Sequence, residues 1–275
     1  MTQEAVARVA KVFDTVADDY DQSGVEFFGP IAARLCDLVA PVAGEHALDV
    51  GCGRGAVTLR LAGSVAPDGF VTAVDVSAAM VRHVQQAAER AGLGNVRAQV
   101  LDASAPSALP VGGFDVLTAS LVLFFLPEPG AALEQWLRLL RPGGRAGLTT
   151  FGDQDATWTE VDALFHPYLP AQLLDPRARG EDSPFASDEG VERLLGEAGG
   201  VDVRTVREPV PIRFADAAQW RTWTMGTGQR LFWKLVPEDR REPLFAEAAG
   251  LLERARDDAG DIVLHQDVRY TICSV

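Results

Sequence analysis

The run Leu48-Asp49-Val50-Gly51-Cys52-Gly53-Arg54-Gly55 sets the tightest limit on how this chain can fold. An apolar strand runs into glycines at alternate positions, and a second apolar run, Val71-Thr72-Ala73-Val74-Asp75, ends in an acid. Glycine tolerates positive φ and leaves room where a Cβ would collide. In a strand-turn-helix unit that holds a nucleotide, the first glycine makes the tight turn, the second admits the ligand and the third lets the helix pack closely. An acid some 20 residues further on can accept hydrogen bonds from ribose hydroxyls, and Asp75 stands in that place. The pattern predicts a βαβ unit that binds an adenosine-containing cofactor.

The spacing chooses among such cofactors. The dinucleotide fingerprint reads G-x-G-x-x-G, whereas this chain has G-x-G-x-G with Asp49 just before it. A pyrophosphate seeks helix N-terminal amides and is repelled by an uncompensated acid. Asp49 therefore favours a cofactor with a cationic end, such as the sulfonium and ammonium of S-adenosylmethionine, and counts against a nicotinamide-dependent dehydrogenase.

Apolar periodicity places the other elements. Residues 1–28 read as polar helix and loop, and a helix from Pro30 to Val39 puts Ile31, Leu35, Leu38 and Val39 on one face. Strand 46–50, helix 54–65, strand 70–75, helix 77–91, strand 95–101, strand 114–120, helix 128–140 and strand 145–151 follow. Runs such as Val116-Leu117-Thr118-Ala119 suit strands covered on both faces, as in a parallel sheet. This alternation predicts a doubly wound α/β fold. Residues 152–186 read as irregular, with a capping-box pattern at Thr157-x-x-Glu160. A helix from Ser187 to Ala198, a strand Val201–Val206, a helical insertion over 214–260 and a closing strand Val268–Cys273 complete the chain.

Asp49-Val50-Gly51-Cys52-Gly53-Arg54-Gly55 resembles motif I of the class I S-adenosylmethionine-dependent methyltransferases, with the nearest likeness to the ubiquinone/menaquinone-biosynthesis-like group and its small-molecule relatives. Further segments agree in order across roughly residues 10 to 152. Phe13-Asp14 through Ala17 to Tyr20-Asp21 resembles the family's F-D-x-x-A-x-x-Y-D segment, and Asp75 to Met80 its D-x-S-x-x-M segment. Asp102-Ala103 resembles the acid-alanine pair after the third strand. Phe114-Asp115-Val116 opens the fourth strand, which closes on Ser120-Leu121, and Leu140-Arg141-Pro142-Gly143-Gly144 resembles the turn before the fifth.

The resemblance implies a Rossmann-like, seven-stranded, mostly parallel sheet whose last strand is antiparallel and hairpins with the sixth. It implies one methyltransferase domain over 1–275: an N-terminal helical lid at 1–45, a cofactor-binding core at 46–151, and a substrate-side segment at 152–275 that carries the insertion 214–260. It also implies roles. Gly51, Cys52, Gly53 and Gly55 form the cofactor loop or else an ordinary tight turn, and Asp75 holds the ribose or else caps a helix. Val76 and Met80 either face the adenine or fill the core. Asp102 meets the adenine amino group, with Ala103 offering a backbone amide, or is a turn residue ahead of Pro106. Ser120 lies at the methionine end, and Asp49 acts either through the ammonium or by holding the loop. Tyr20 closes over the sulfonium, where a cation favours an aromatic face, or is a half-exposed aromatic on the lid; Phe13, Phe27 and Phe28 are candidates to complete that lid.

Methyl transfer from a sulfonium mainly requires alignment and exclusion of water. A phenol or alcohol acceptor also needs a base. Of His46, His83, His166 and His265, His166 is the candidate catalytic residue, competing with a plain polar loop position, and Asp153 is a second candidate. Trp158, Phe165, Tyr168, Trp220, Trp223 and Phe232 either line an acceptor pocket or form the core of the inserted helices.

A net charge of −14 speaks against nucleic acid and anionic membranes as partners. Ser120-Leu121-Val122-Leu123 stands where an amino-methylating nucleic-acid enzyme carries its Asp/Asn-Pro-Pro-Tyr/Phe motif. Three well-separated cysteines show no metal spacing and fit a reducing compartment. The start Met1-Thr2-Gln3-Glu4 lacks a signal-peptide pattern. The expectation is a cytoplasmic enzyme, without a metal, that methylates a small organic acceptor in bacterial specialised metabolism, with a homodimer as the assembly to consider. The alternative is a methyltransferase-like protein that keeps the cofactor structurally, as a cyclase or without catalysis.

Overall fold

The computed structural model describes residues 3–170 and 183–275; the sequence readings at 171–182 lie outside the described residues. Seven strands form one sheet: β1 (His46–Val50), β2 (Phe70–Asp75), β3 (Val96–Val100), β4 (Phe114–Ser120), β5 (Leu140–Gln154), β6 (Val201–Phe214) and β7 (Ile262–Ser274). Their order is β3-β2-β1-β4-β5-β7-β6. β1 pairs in parallel with β2 and β4, β2 with β3, and β4 with β5. β7 alone reverses, running antiparallel to both β5 and β6. The seven-stranded sheet with an antiparallel last strand is the one expected.

The helices are α1 (Gln3–Val16), α2 (Phe28–Val39), α3 (Thr58–Val65), α4 (Ala78–Arg90), α5 (Pro129–Leu139), α6 (Ala156–Ala163), α7 (Asp188–Glu197), α8 (Ala217–Met225), α9 (Arg230–Leu235) and α10 (Glu238–Leu252). Successive strand residues face opposite sides, and the buried clusters sort accordingly. Ala47, Val71 and Val116 pack with α2 and α3 in one core. Leu48, Val74 and Leu117 pack with α5 and α7 in the other. Val81 and Val84 bring α4 onto Ala73 and Ala98. Trp158, Trp220, Trp223 and Trp233 weld α6, α8 and α9 into the first core.

Several boundaries differ from the sequence reading. The Gly-rich turn continues to Val57, so α3 begins at Thr58 rather than at 54. The cap of α6 is Asp155, whose side chain accepts from the Trp158 amide at 2.8 Å, instead of Thr157; Glu160 pairs with Arg254 at 2.5 Å. β6 and β7 form a long hairpin that reaches Phe214 and Ile262, well past the expected short strands. Pro209 and Pro211 argue against a strand there, yet β6 is an edge strand of the sheet, where a missing N–H is tolerated.

Candidate active site

Strand order reverses around β1, which has β2 on one side and β4 on the other. Open α/β sheets bind ligands in the crevice at the carboxyl ends of the strands beside such a switch point. A cleft of about 740 Å³, its open mouth included, lies there. Gly51 and Gly53 follow β1, Asp75 and Val76 close β2, Asp102 and Ala103 follow β3, and Ser120, Leu121 and Val122 follow β4; all line the cleft. Met80 of α4, Phe13 and Tyr20 of the N-terminal segment, and Phe125 of the turn after β4 complete much of its wall.

Gly51 adopts φ +67°, and a Cβ there would stand 2.3 Å from a Val122 methyl, so the β1 and β4 turns meet only because the residue is glycine. Gly53 adopts φ +52°, its Cβ position faces open space, and its amide donates to Asp75 Oδ2 at 2.9 Å. Gly55 packs against Val84 of α4, a helix-packing role away from the cleft wall. The other Asp75 oxygen accepts from the Ser77 amide at 2.9 Å. Burial raises the Asp75 pKa from its ordinary value, while the Ser77 and Gly53 amides oppose the rise. Asp102 Oδ1 accepts from the Ser104 amide and hydroxyl, both at 2.8 Å, which fixes the turn after β3. Ser120 Oγ meets Thr149 Oγ1 at 3.0 Å, and Leu121 holds φ +58° at the cleft edge with its amide on the same Thr149 oxygen.

Asp49 is buried behind this wall. Its Oδ2 accepts from the Thr58 hydroxyl at 2.5 Å and its Oδ1 from the Thr118 hydroxyl at 2.9 Å. Burial pushes its pKa up to about 6, opposed by those hydroxyls and reinforced by the Asp75 charge. The geometry selects the loop-holding reading of Asp49: it ties the start of α3 and β4 to β1. Cys52 is likewise turned into the core with Val81 and Val84, and burial raises its thiol pKa well above the ordinary range.

The N-terminal segment docks through residues of its sequence motif. Asp14 Oδ1 accepts from Ser77 Oγ at 2.5 Å and from the Ala79 amide at 3.1 Å, so α1 adds a second cap to α4. Arg54 Nη1 donates to the Ala17 carbonyl at 2.6 Å, bridging the Gly-rich loop to the same segment. Tyr20 stacks on Phe28 with centroids 4.8 Å apart. Burial, then the Asp21 and Asp75 charges, raise the Tyr20 pKa, so its hydroxyl stays protonated.

The charged side chains of the cleft are Asp75 and Asp102; among the described residues no lysine, arginine or histidine lines it. Two carboxylates and a tyrosine face, with open space above Gly53, fit a cofactor that carries ribose hydroxyls and positive charge. They do not fit a pyrophosphate.

Residues 47–144 match the methyltransferase domain family. The nocamycin O-methyltransferase of Saccharothrix syringae is 40% identical over 253 residues, covering 86% of this chain and 88% of its own. The chain belongs to the class I S-adenosylmethionine-dependent methyltransferases. The aklanonic acid methyltransferase DauC of a Streptomyces strain is 36% identical over 61% of this chain and 76% of its own. The crystal structure of YcgJ from Bacillus subtilis superposes with a TM-score of 0.58 at 15% identity, covering 88% of this chain and 97% of that one, a likeness of fold.

Of the residues anticipated for this methyltransferase's site, Tyr20, Gly51, Gly53, Asp75, Val76, Met80, Asp102, Ala103 and Ser120 converge on the cleft. Asp49, Cys52 and Gly55 support it from behind. His166 does not reach it: it lies exposed on a short turn, His166–Tyr168, away from the cleft wall. Asp153 is exposed and pairs with Arg207 at 3.0 Å. Trp158 and Phe165 after β5 and Trp220 and Trp223 of the insertion are core residues rather than cleft walls. Sequence reasoning missed Leu121, Val122 and Phe125, together with the capping role of Asp14. Asp14 belongs to the matched N-terminal motif; the other three carry no local signal.

Proposed function

We propose that this methyltransferase O-methylates a small organic acceptor in bacterial specialised metabolism. The observation that carries the reading is the cleft at the β1 switch point, with Asp75 and Gly53 hydrogen-bonded together at its wall. Its likeness to the nocamycin O-methyltransferase over most of both chains supports oxygen as the acceptor atom and favours transfer over a cyclase role.

In this reading Asp75 accepts from the ribose hydroxyls, and Gly51 and Gly53 let the cofactor approach the backbone. Asp102 and Ala103 receive the adenine between Val76 and Met80, and Ser120 lies at the methionine end. Of the 1–45 segment expected as a lid, the stretch ahead of α2 plays that part, with the Tyr20 ring excluding water from the sulfonium, while α2 belongs to the core. When bound, S-adenosylmethionine would supply a methyl activated by its sulfonium for transfer to the acceptor oxygen, with S-adenosylhomocysteine as the leaving group. Among the described residues of the wall, Asp75 is engaged by the Gly53 and Ser77 amides, Asp102 by Ser104, and Tyr20 stays protonated, so the reading assigns none of them as a base. The chain therefore works by alignment and desolvation, and the acceptor is a hydroxyl acidic enough to lose its proton to water.

No helix among the described residues is long and apolar enough to cross a membrane. Three buried free cysteines support a cytoplasmic setting. The acidic surface supports a partner set without nucleic acid, and a homodimer is tested by light scattering. The test of function is incubation with methyl-labelled S-adenosylmethionine and a panel of phenols, enols and aliphatic alcohols. The expected result is labelled ether and stoichiometric S-adenosylhomocysteine from the acidic hydroxyls. A product rearranged without gain of mass would favour the cyclase.

A further inference from the structure

Beyond the cleft wall, aromatic rings from three separate stretches of chain close on one another. In the N-terminal segment Phe13 meets Tyr20 at 6.3 Å, Tyr20 stacks on Phe28 at 4.8 Å, and Phe28 meets Phe27 edge-on at 5.0 Å. Phe27 stacks on Phe151 of β5 at 6.4 Å, and Phe151 meets Phe124 at 5.3 Å. Phe124 meets Phe125 at 4.7 Å, and Phe125 returns to Phe13 at 5.4 Å. The circuit is complete. Its other ring contacts are Phe27 to Trp223 and Phe124 to Phe185, and among the described residues no aromatic pair crosses it.

Three members, Phe13, Tyr20 and Phe125, also line the cleft, so the circuit continues from the end bounded by Tyr20, Ser120 and Leu121. Phe27 is buried, but Phe125 is 44% exposed and Phe28, Phe124 and Phe151 are only half-buried. Apolar rings left partly wet in one continuous patch mark a binding surface. Aliphatic side chains would cover the same area, but rings add a preference for offset-stacked and edge-on contact with another π-system.

We propose that this aromatic collar is the acceptor site and that it selects a planar, conjugated ring system whose acidic hydroxyl is turned towards the cleft. The proposal rests on the methyltransferase reading above. It explains how orientation is fixed with no polar side chain at the wall placed as a base: stacking sets the plane of the acceptor, and the shared rings aim its edge at the Tyr20 end. The N-terminal segment supplies four of the seven rings, so acceptor and cofactor would be enclosed by the same element.

The test compares 2-naphthol with decahydro-2-naphthol, a saturated molecule of similar size, for binding to the full chain preloaded with S-adenosylhomocysteine. The expected result is at least about tenfold tighter binding of 2-naphthol, roughly the worth of one aromatic pair. Phe124→Leu and Phe151→Leu, neither at the cleft wall, should each weaken 2-naphthol about tenfold and leave S-adenosylhomocysteine affinity within about twofold. Equal binding of the two probes to the wild type, or no binding of 2-naphthol, overturns the collar even if a variant fails to fold. Naphthol binding indifferent to both folded variants overturns it too. Failure of S-adenosylhomocysteine itself to bind would remove the underlying methyltransferase reading, a separate outcome seen before any naphthol is added.

Discussion

Asp49 is an acid buried one layer behind an acid-lined cleft, and its protonation is coupled to folding. Its pKa rises from the ordinary 3.8 to about 6 because burial disfavours the charge. Well below pH 3.8 the group is protonated in folded and unfolded chains alike and contributes nothing. As pH rises towards 6 the unfolded chain releases its proton first, so stability falls through that window and stays lowered above it. The shift corresponds to roughly 3 kcal/mol. Asp49→Asn, whose amide can still meet the Thr58 and Thr118 hydroxyls, should melt close to the wild type at pH 4 and several degrees higher at pH 8. Parallel melting curves across that range would contradict the buried-charge reading. Gly51→Ala carries both a positive φ and the Val122 contact, for a loss of about 2–4 kcal/mol. Val122→Ala in that background should recover the packing share and leave the backbone share, read by denaturant unfolding. Alternate glycines announce the turn in the sequence. Val122 as the neighbour of Gly51, and Thr118 as the partner of Asp49, do not show there, because both contacts join β1 or its turn to β4 or its turn across about 70 residues.

The N-terminal segment shows how an element is positioned by capping. Ser77 caps α4 from within, and Asp14 caps it again from α1. Asp14→Ala should cost about 1 kcal/mol, the worth of a helix cap. It should also speed S-adenosylhomocysteine dissociation several-fold, because the proposed lid loses its anchor; Asp14→Asn, which keeps an acceptor oxygen, should restore most of both. Stopped-flow displacement separates this from a purely structural effect, which would leave the off-rate unchanged. The βαβ elements through β5 are legible because the apolar runs alternate regularly and the glycine-rich and acidic motifs fall at their ends. The full length of the β6–β7 hairpin is not: the expected strands end at Val206 and begin at Val268, and only the sheet order shows that Pro209 and Pro211 sit on an edge that can carry them. Aromatic residues at helical spacing in 214–236 read equally as pocket or core, and packing around Trp220 and Trp223 decides for core. Of the rings that border the cleft, Phe13 sits on α1, whereas Tyr20 and Phe125 come from segments without helical or strand periodicity.

Across the whole molecule, two buried cores on opposite faces of one sheet hold the strand ends in register, and the reversal of order at β1 opens the cleft between them. The scaffold binds and aligns; the wall of the cleft is acidic and has no histidine among the described residues. The central claim is that this wall holds S-adenosylmethionine through Asp75. Calorimetric titration of the full chain with S-adenosylhomocysteine, beside Asp75→Ala, tests it most directly. The prediction is one-site binding in the wild type and a loss of about tenfold or more in the variant. A folded wild type that does not bind, or a folded variant that binds as well as the wild type, would contradict it.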